Sequence, residues 1–175
     1  SFVVKDIAVL RSKRIYAPQR GEEHFVGALY TLFAHLVAED HKLAQYWIRP
    51  LTFSALGIDA IAAVDENKRL VNGNLASIEY KYSFSDSDEF NHPFNITDRI
   101  ICWELNVPGE GGNIKDSYDY ACQVQKRITH GDHVLGLILG NVHHLYEIKD
   151  IAHEIVVLDL RALLKATFDV EFRPG

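Results

Sequence analysis

Apolar residues recur along this chain with two periods, and each period predicts its own kind of element. Between 22 and 39, Phe25, Val26, Leu29, Leu32, Phe33 and Leu36 return every three or four positions, which predicts one amphipathic helix with a single buried stripe. Between 75 and 84 the period is two: Ala76, Ile78, Tyr80, Tyr82 and Phe84 would share one face of a strand, and Ser77, Glu79, Lys81 and Ser83 the other. Around this strand the chain reads as short β segments separated by turn signals. A strand is expected over 2–10, with 11–14 and 16–19 as connection, a helical turn over 41–48, and strands over 51–56 and 58–64. The polar run 65–69 and Asn72-Gly73-Asn74 are turns, so 58–84 is expected to fold as an antiparallel pair.

Beyond that pair, 85–93 is an acidic loop bearing aromatic residues, and Thr97 or Asp98 introduces a core-type strand over 99–105. Further strands are expected at 118–124 (with a helix as the alternative there), 141–146 and 154–160, with a turn at 129–133 and a short apolar run at 134–139. A last helix is expected over 161–168, with Asp159 near its start as a cap. No repeat, low-complexity tract or linker divides the chain. The expected fold is therefore a single α/β domain spanning 1–175.

Composition narrows the class. A chain of 175 residues that is 47% hydrophobic can build one full core. There is no apolar run of bilayer-spanning length and no signal-peptide pattern, so no membrane partner is expected. Cys102 and Cys122 both lie in apolar stretches and read as buried free thiols, in keeping with a reducing, cytoplasmic setting. The chain opens on Ser1 and has no methionine, as expected of a domain taken from a larger protein or, equally, of a processed start. A net charge of −6 argues against a protein that grips nucleic acid by charge alone. It is compatible with a catalytic module whose grip is supplied by other domains.

The candidate chemistry lies in four residues spread over three elements. Glu22 heads the apolar stripe of the first helix, with Glu23 on its shoulder; Asp59 lies on one strand, and Glu79 and Lys81 on the next. Acids at a helix start commonly answer the helix dipole, but position favours Glu22 over Glu23 for projection towards a shared site. Pairing the two strands can bring Asp59 and Glu79 to one end, although Asp65 is a rival to Asp59. Two carboxylates suit a hard divalent ion that also takes water and phosphate oxygens, and a neighbouring lysine can orient a nucleophile or stabilise developing charge. An exposed strand with a solvated Glu–Lys pair would show the same local spacing. Among the histidines, His130, His133, His143 and His144 fit turn or surface positions better than metal ligation. His92 follows the central strand, where it could meet a phosphate or cap its loop. No Gly-rich phosphate loop and no nucleophile elbow is present.

The order of helix acid, Gly57-Ile58-Asp59 and Glu79-Tyr80-Lys81, followed by the strand over 99–105, resembles the PD-(D/E)xK nuclease superfamily. The pattern covers about 22–105 and departs from the family where Gly57-Ile58 replaces the proline expected before the aspartate. The resemblance implies a restriction-endonuclease-like core with a mixed central sheet flanked by helices. It implies Mg2+, or Mn2+, held by Asp59, Glu79, the Tyr80 carbonyl and Glu22, with Lys81 as the active-site lysine. The expected activity is phosphodiester hydrolysis in DNA, in a module of a defence or repair protein. The stretch from Glu79 through Glu89-Phe-Asn-His-Pro to Glu104 is also similar to nuclease-type domains fused to gyrase- or MutL-like ATPases. The partners so implied are DNA and other parent domains, an ATPase among them, with a homodimer also open. The alternative is a catalytically inactive module of the same fold that serves interaction or sensing.

Overall fold

The structure, a computed structural model, describes residues 2–4, 15–54, 58–107, 109–148 and 150–174. The connection expected at 11–14, the second half of the first strand and Gly57 lie outside the described residues. The architecture is α/β, with one mixed sheet and two α-helices among the described residues. The sheet contains β2 (Pro50–Phe53), β3 (Ala60–Ala63), β4 (Leu75–Ser85), β5 (Arg99–Asn106), β6 (Asn113–Lys115), β7 (Tyr120–His130), β8 (His133–His144) and β10 (Ile155–Asp159). They run in the order β2-β3-β4-β5-β10-β8-β7-β6, and β9 (Asp150–Ile151) pairs with β8. Among the described residues, only the β4–β5 and β5–β10 pairings are parallel. The antiparallel β3–β4 pair expected from the turn signals is present, with Ala60 opposite Ile78 and Ala63 opposite Leu75. A separate ribbon joins β1 (Phe2–Val4) to β11 (Phe172–Pro174).

Successive residues of β5 divide between two cores, as the pleat requires. Ile101 and Trp103 join one, and Ile100 and Cys102 join the other. The first core lies under α1 (Glu23–Ala34) and α2 (Leu160–Phe168), where Val26, Leu29, Tyr30 and Phe33 meet Ala60, Ala62, Ile78 and Tyr80. Neither helix contributes to the second core. That core is closed by Phe84, Phe90 and Phe94, from the end of β4 and the aromatic loop after it. The alternation expected of β4 places Ala76, Ile78 and Tyr80 against the helices with Tyr82 packed beside them, whereas Phe84 joins the opposite core.

Two boundaries differ from expectation for identifiable reasons. The helix expected to reach 39 stops at Ala34, where Leu36 N–H turns to Phe33 O, only three residues back. Leu36 and Val37 still pack on the first core, so the apolar spacing outlasts the helix that it predicts. In the second half of the chain, β7 and β8 form one long hairpin where the pattern suggested separate segments. Asn141 adopts a left-handed φ of 54° beside a register shift opposite Ala121 and Gln123. A bulge of this kind breaks the hydrophobic alternation without ending the strand. The turn expected at 129–133 narrows to Gly131 and Asp132, flanked by the pair His130 and His133. Asp159 caps α2 as expected, accepting from Ala162 N–H at 3.0 Å. Among the described residues, no helix is long and apolar enough to cross a membrane.

Helix α1 approaches β4 closely because residue 27 is glycine. A Cβ there would stand 2.7 Å from the Tyr80 ring, and that ring is buried beneath the helix. Gly27→Ala is expected to lift α1 from the sheet at a cost of about 1–3 kcal/mol. Thermal unfolding should then show a Tm lowered by roughly 3–10 °C for a chain of this size. An unchanged Tm would mean that the helix does not depend on this approach.

Candidate functional site

The site begins where the β3–β4 ladder ends. Its last backbone pair joins Ala60 to Ile78, so one further step of the register sets Asp59 level with Glu79. At that step a side chain takes over from the backbone: Tyr80 N–H donates to Asp59 Oδ2 at 2.8 Å. The Asp59 backbone is held as well, since its carbonyl accepts from Ser54 N–H at 2.9 Å. Asp65, the rival candidate, lies past the other end of β3. Its carboxylate is engaged by Asn67 N–H at 3.0 Å and by Lys68 Nζ at 3.4 Å.

Glu79 is 1% exposed, and both of its carboxylate oxygens are buried without a hydrogen bond among the described residues. His92 Nε2 stands 3.2 Å from Glu79 Oε2, close enough for attraction but outside hydrogen-bond geometry. Burial is the larger cause and the Asp59 carboxylate the next in raising the Glu79 pKa from 4.5 to about 9, against the opposing pull of Lys81. Burial likewise lowers the His92 pKa, although the charges of Asp59 and Glu23 oppose it. Near neutral pH, therefore, Glu79 carries its proton and His92 is uncharged.

Lys81 follows on the same strand. Its Nζ lies 3.3 Å from Glu23 Oε1 and 5.7 Å from the centre of the Phe90 ring. The acid that α1 brings to Lys81 is thus Glu23. Glu22 precedes the first helical residue with non-helical dihedrals, and its Oε2 turns back to accept from Gln19 N–H at 2.8 Å. A helical wheel ranks the two acids by angle, and that ranking does not apply to a residue outside the helix. The Tyr80 ring faces α1 and its N–H is spent on Asp59, so only its carbonyl could serve a ligand here.

The geometry therefore joins Asp59, Glu79 and Lys81 with Glu23 and His92, and leaves Glu22 and Asp65 aside. Among the described residues, no three His, Cys, Asp or Glu side chains are arranged to hold a metal ion. The four remaining histidine candidates have local roles. His130 and His133 flank an exposed turn, His143 Nδ1 pairs with Asn141 O at 2.8 Å, and His144 packs edge-on against Tyr120. Cys102 and Cys122 are buried free thiols with raised pKa values, which makes them poor nucleophiles.

The raised Glu79 pKa fixes the sign of a pH effect. Between 4.5 and about 9 the folded chain keeps a proton that the unfolded chain has lost, so this residue lowers stability as pH rises through that window. Glu79→Gln removes the titration. The Tm of the variant is expected to gain on wild type with rising pH, by up to about 1.4 kcal/mol or roughly 3–5 °C per pH unit. A Tm difference that stays constant from pH 5 to pH 9 would show that Glu79 titrates normally.

Comparison with protein-family models, with curated proteins and with solved structures found no match to this chain, so its function has to be read from the chemistry of this site.

Proposed function

We propose that this chain is a metal-dependent nuclease domain with a restriction-endonuclease-like core, hydrolysing phosphodiester bonds in DNA. One observation carries the reading: Glu79 is a buried carboxyl group whose oxygens have no hydrogen bond among the described residues, with Asp59 beside it and Lys81 next along its face. Leaving such a group unsatisfied is costly, and a cation would relieve the cost. Asp59, Glu79 and the Tyr80 carbonyl form an oxygen set suited to Mg2+ or Mn2+ with water completing the shell. When bound, the ion would stabilise charge on the phosphate and acidify a water.

The chain's own groups do the rest. Asp59 is oriented by Tyr80 N–H and by the fixed backbone at Ser54. Lys81 carries positive charge to the carboxylate pair, where it can stabilise an oxyanion or orient a nucleophile. Glu23 holds the ammonium at the mouth of the site. His92, uncharged at neutral pH, flanks Glu79 on the loop side.

A second reading is an inactive nuclease-fold module used for interaction or sensing. The Lys81–Glu23 ion pair favours it, because a lysine already paired with a carboxylate has less charge to offer a phosphate.

Cleavage of supercoiled plasmid with Mg2+ or Mn2+ separates the two. Wild type is expected to cut, and Lys81→Ala and Glu79→Ala to lose about 100-fold or more in rate. Equal cleavage by all three proteins would remove the nuclease assignment, and no cleavage by wild type would favour the inactive module. Within the active case, Glu23→Gln is expected to change the rate several-fold, whereas Glu22→Gln leaves it unchanged. The opposite ranking would return Glu22 to the site.

A further inference from the structure

A second constellation lies at the start of β5, away from the carboxylates. Arg99 opens that strand between Ile78 of β4 and Val156 of β10, on the face covered by α1. It is half-buried, and no carboxylate among the described residues forms an ion pair or hydrogen bond with its guanidinium. The adjacent acid, Asp98, is committed elsewhere: its Oδ2 accepts from Ser77 N–H at 2.8 Å and its Oδ1 lies 3.8 Å from His153 Nε2. The nearest hydroxyl framework is satisfied too, since Tyr30 Oη donates to Tyr46 O at 2.7 Å and accepts from Ile48 N–H at 2.9 Å.

Arg99 borders a cavity of about 430 Å³ whose rim also carries Lys126 and Arg127, together with Thr129, Gln45 and Tyr46. No acid lines it, and neither Lys126 nor Arg127 has an ion pair among the described residues. A concavity lined by Arg99, Lys126 and Arg127 and by no acid, in a chain of net charge −6, is not explained by general surface charge. A half-buried guanidinium with no direct ion pair is expensive: burial lowers the Arg99 pKa even though the charge of Asp98 opposes that shift. An anion would relieve it. The Arg fork matches the oxygens of a phosphate in geometry, and the lysine and the Thr129 hydroxyl add further donors.

We infer that the cavity bounded by Arg99, Lys126 and Arg127 is a binding site for a phosphate group. The site stands whether or not Asp59 and Glu79 hold a cation. Its volume admits a mononucleotide, and its open mouth admits a strand, so a free nucleotide and a nucleic-acid backbone are two sources of the same chemistry.

Calorimetric titration with inorganic pyrophosphate, in chelator and at low salt, reads the site without the carboxylate centre. Saturable binding is expected, weakening with added salt. Arg99→Gln is expected to weaken it about tenfold or more, the worth of one lost charge-assisted contact. The double variant Lys126→Ala/Arg127→Ala alters only exposed side chains, so it should keep the wild-type Tm and still lose affinity. Adenosine monophosphate and a short DNA oligonucleotide then distinguish the source. The ligand is a nucleotide if the monophosphate binds as well as pyrophosphate, and a strand if only the oligonucleotide binds more tightly. No saturable binding at millimolar pyrophosphate, or a double variant that binds like wild type, would overturn the site.

Discussion

The hydrogen bond from Tyr80 N–H to Asp59 is the constraint on which the candidate site depends. A β-ladder that continued past Ala60 would pair the edge of β4 with backbone and leave no room for a side chain there. Because β3 gives way to a carboxylate at that step, the edge of β4 is closed by Asp59, and the charge is delivered level with Glu79. One interaction thus satisfies a backbone donor, ends a strand pairing and sets two acids against each other. The mutual repulsion of those acids is the second cause, after burial, of the raised Glu79 pKa.

The close seat of α1 extends the same arrangement to a third element. Gly27 lets the helix lie on the Tyr80 ring, and Glu23, one turn earlier, is thereby brought to Lys81. Backbone geometry therefore decides which charges meet. The Tyr80 residue joins both halves, with its N–H on Asp59 and its ring under the helix. A shift of α1 would be felt at Lys81 without any change to Lys81 itself.

These relations explain what could be read in the sequence. The period-two pattern and the turn at Asn72-Gly73-Asn74 were enough to pair β3 with β4, and that pairing places Asp59 beside Glu79. The same register sets Asp65 at the opposite end, but choosing between the two acids needed the alignment of the strands, which a turn signal does not supply. Glu23 was harder, because the spacing of apolar residues marks a helix face but not its first residue. The position of His92 beside Glu79 comes from how a loop of aromatic residues folds under the sheet, through Phe90 and Phe94. No local periodicity encodes that. The cavity at Arg99 was invisible for the same reason: its three cations lie on β5 and β7, strands that are not neighbours in the sheet.

The distribution of charge follows from the topology as well. Acids and a lysine gather where β3 ends and β4 continues; Asp59 is answered by the Tyr80 N–H and Glu23 by Lys81, whereas Glu79 has only the charge of Lys81 along its strand. At the start of β5 the imbalance has the opposite sign: no acid lines the cavity, and the neighbouring Asp98 answers Arg99 only in part. Folding buries both imbalances at a cost that core packing must offset, since a half-buried guanidinium and a buried carboxylate each forfeit hydration. An ordinary surface charge would be free to turn back into water. Glu79 and Arg99 are held by the strands that carry them. Glu79 sheds its charge near neutral pH by keeping its proton, whereas the Arg99 guanidinium stays charged. A cation at one and an anion at the other would offset the lost hydration. On the proposed reading, a phosphodiester ligand accompanied by a divalent ion would supply both kinds of charge.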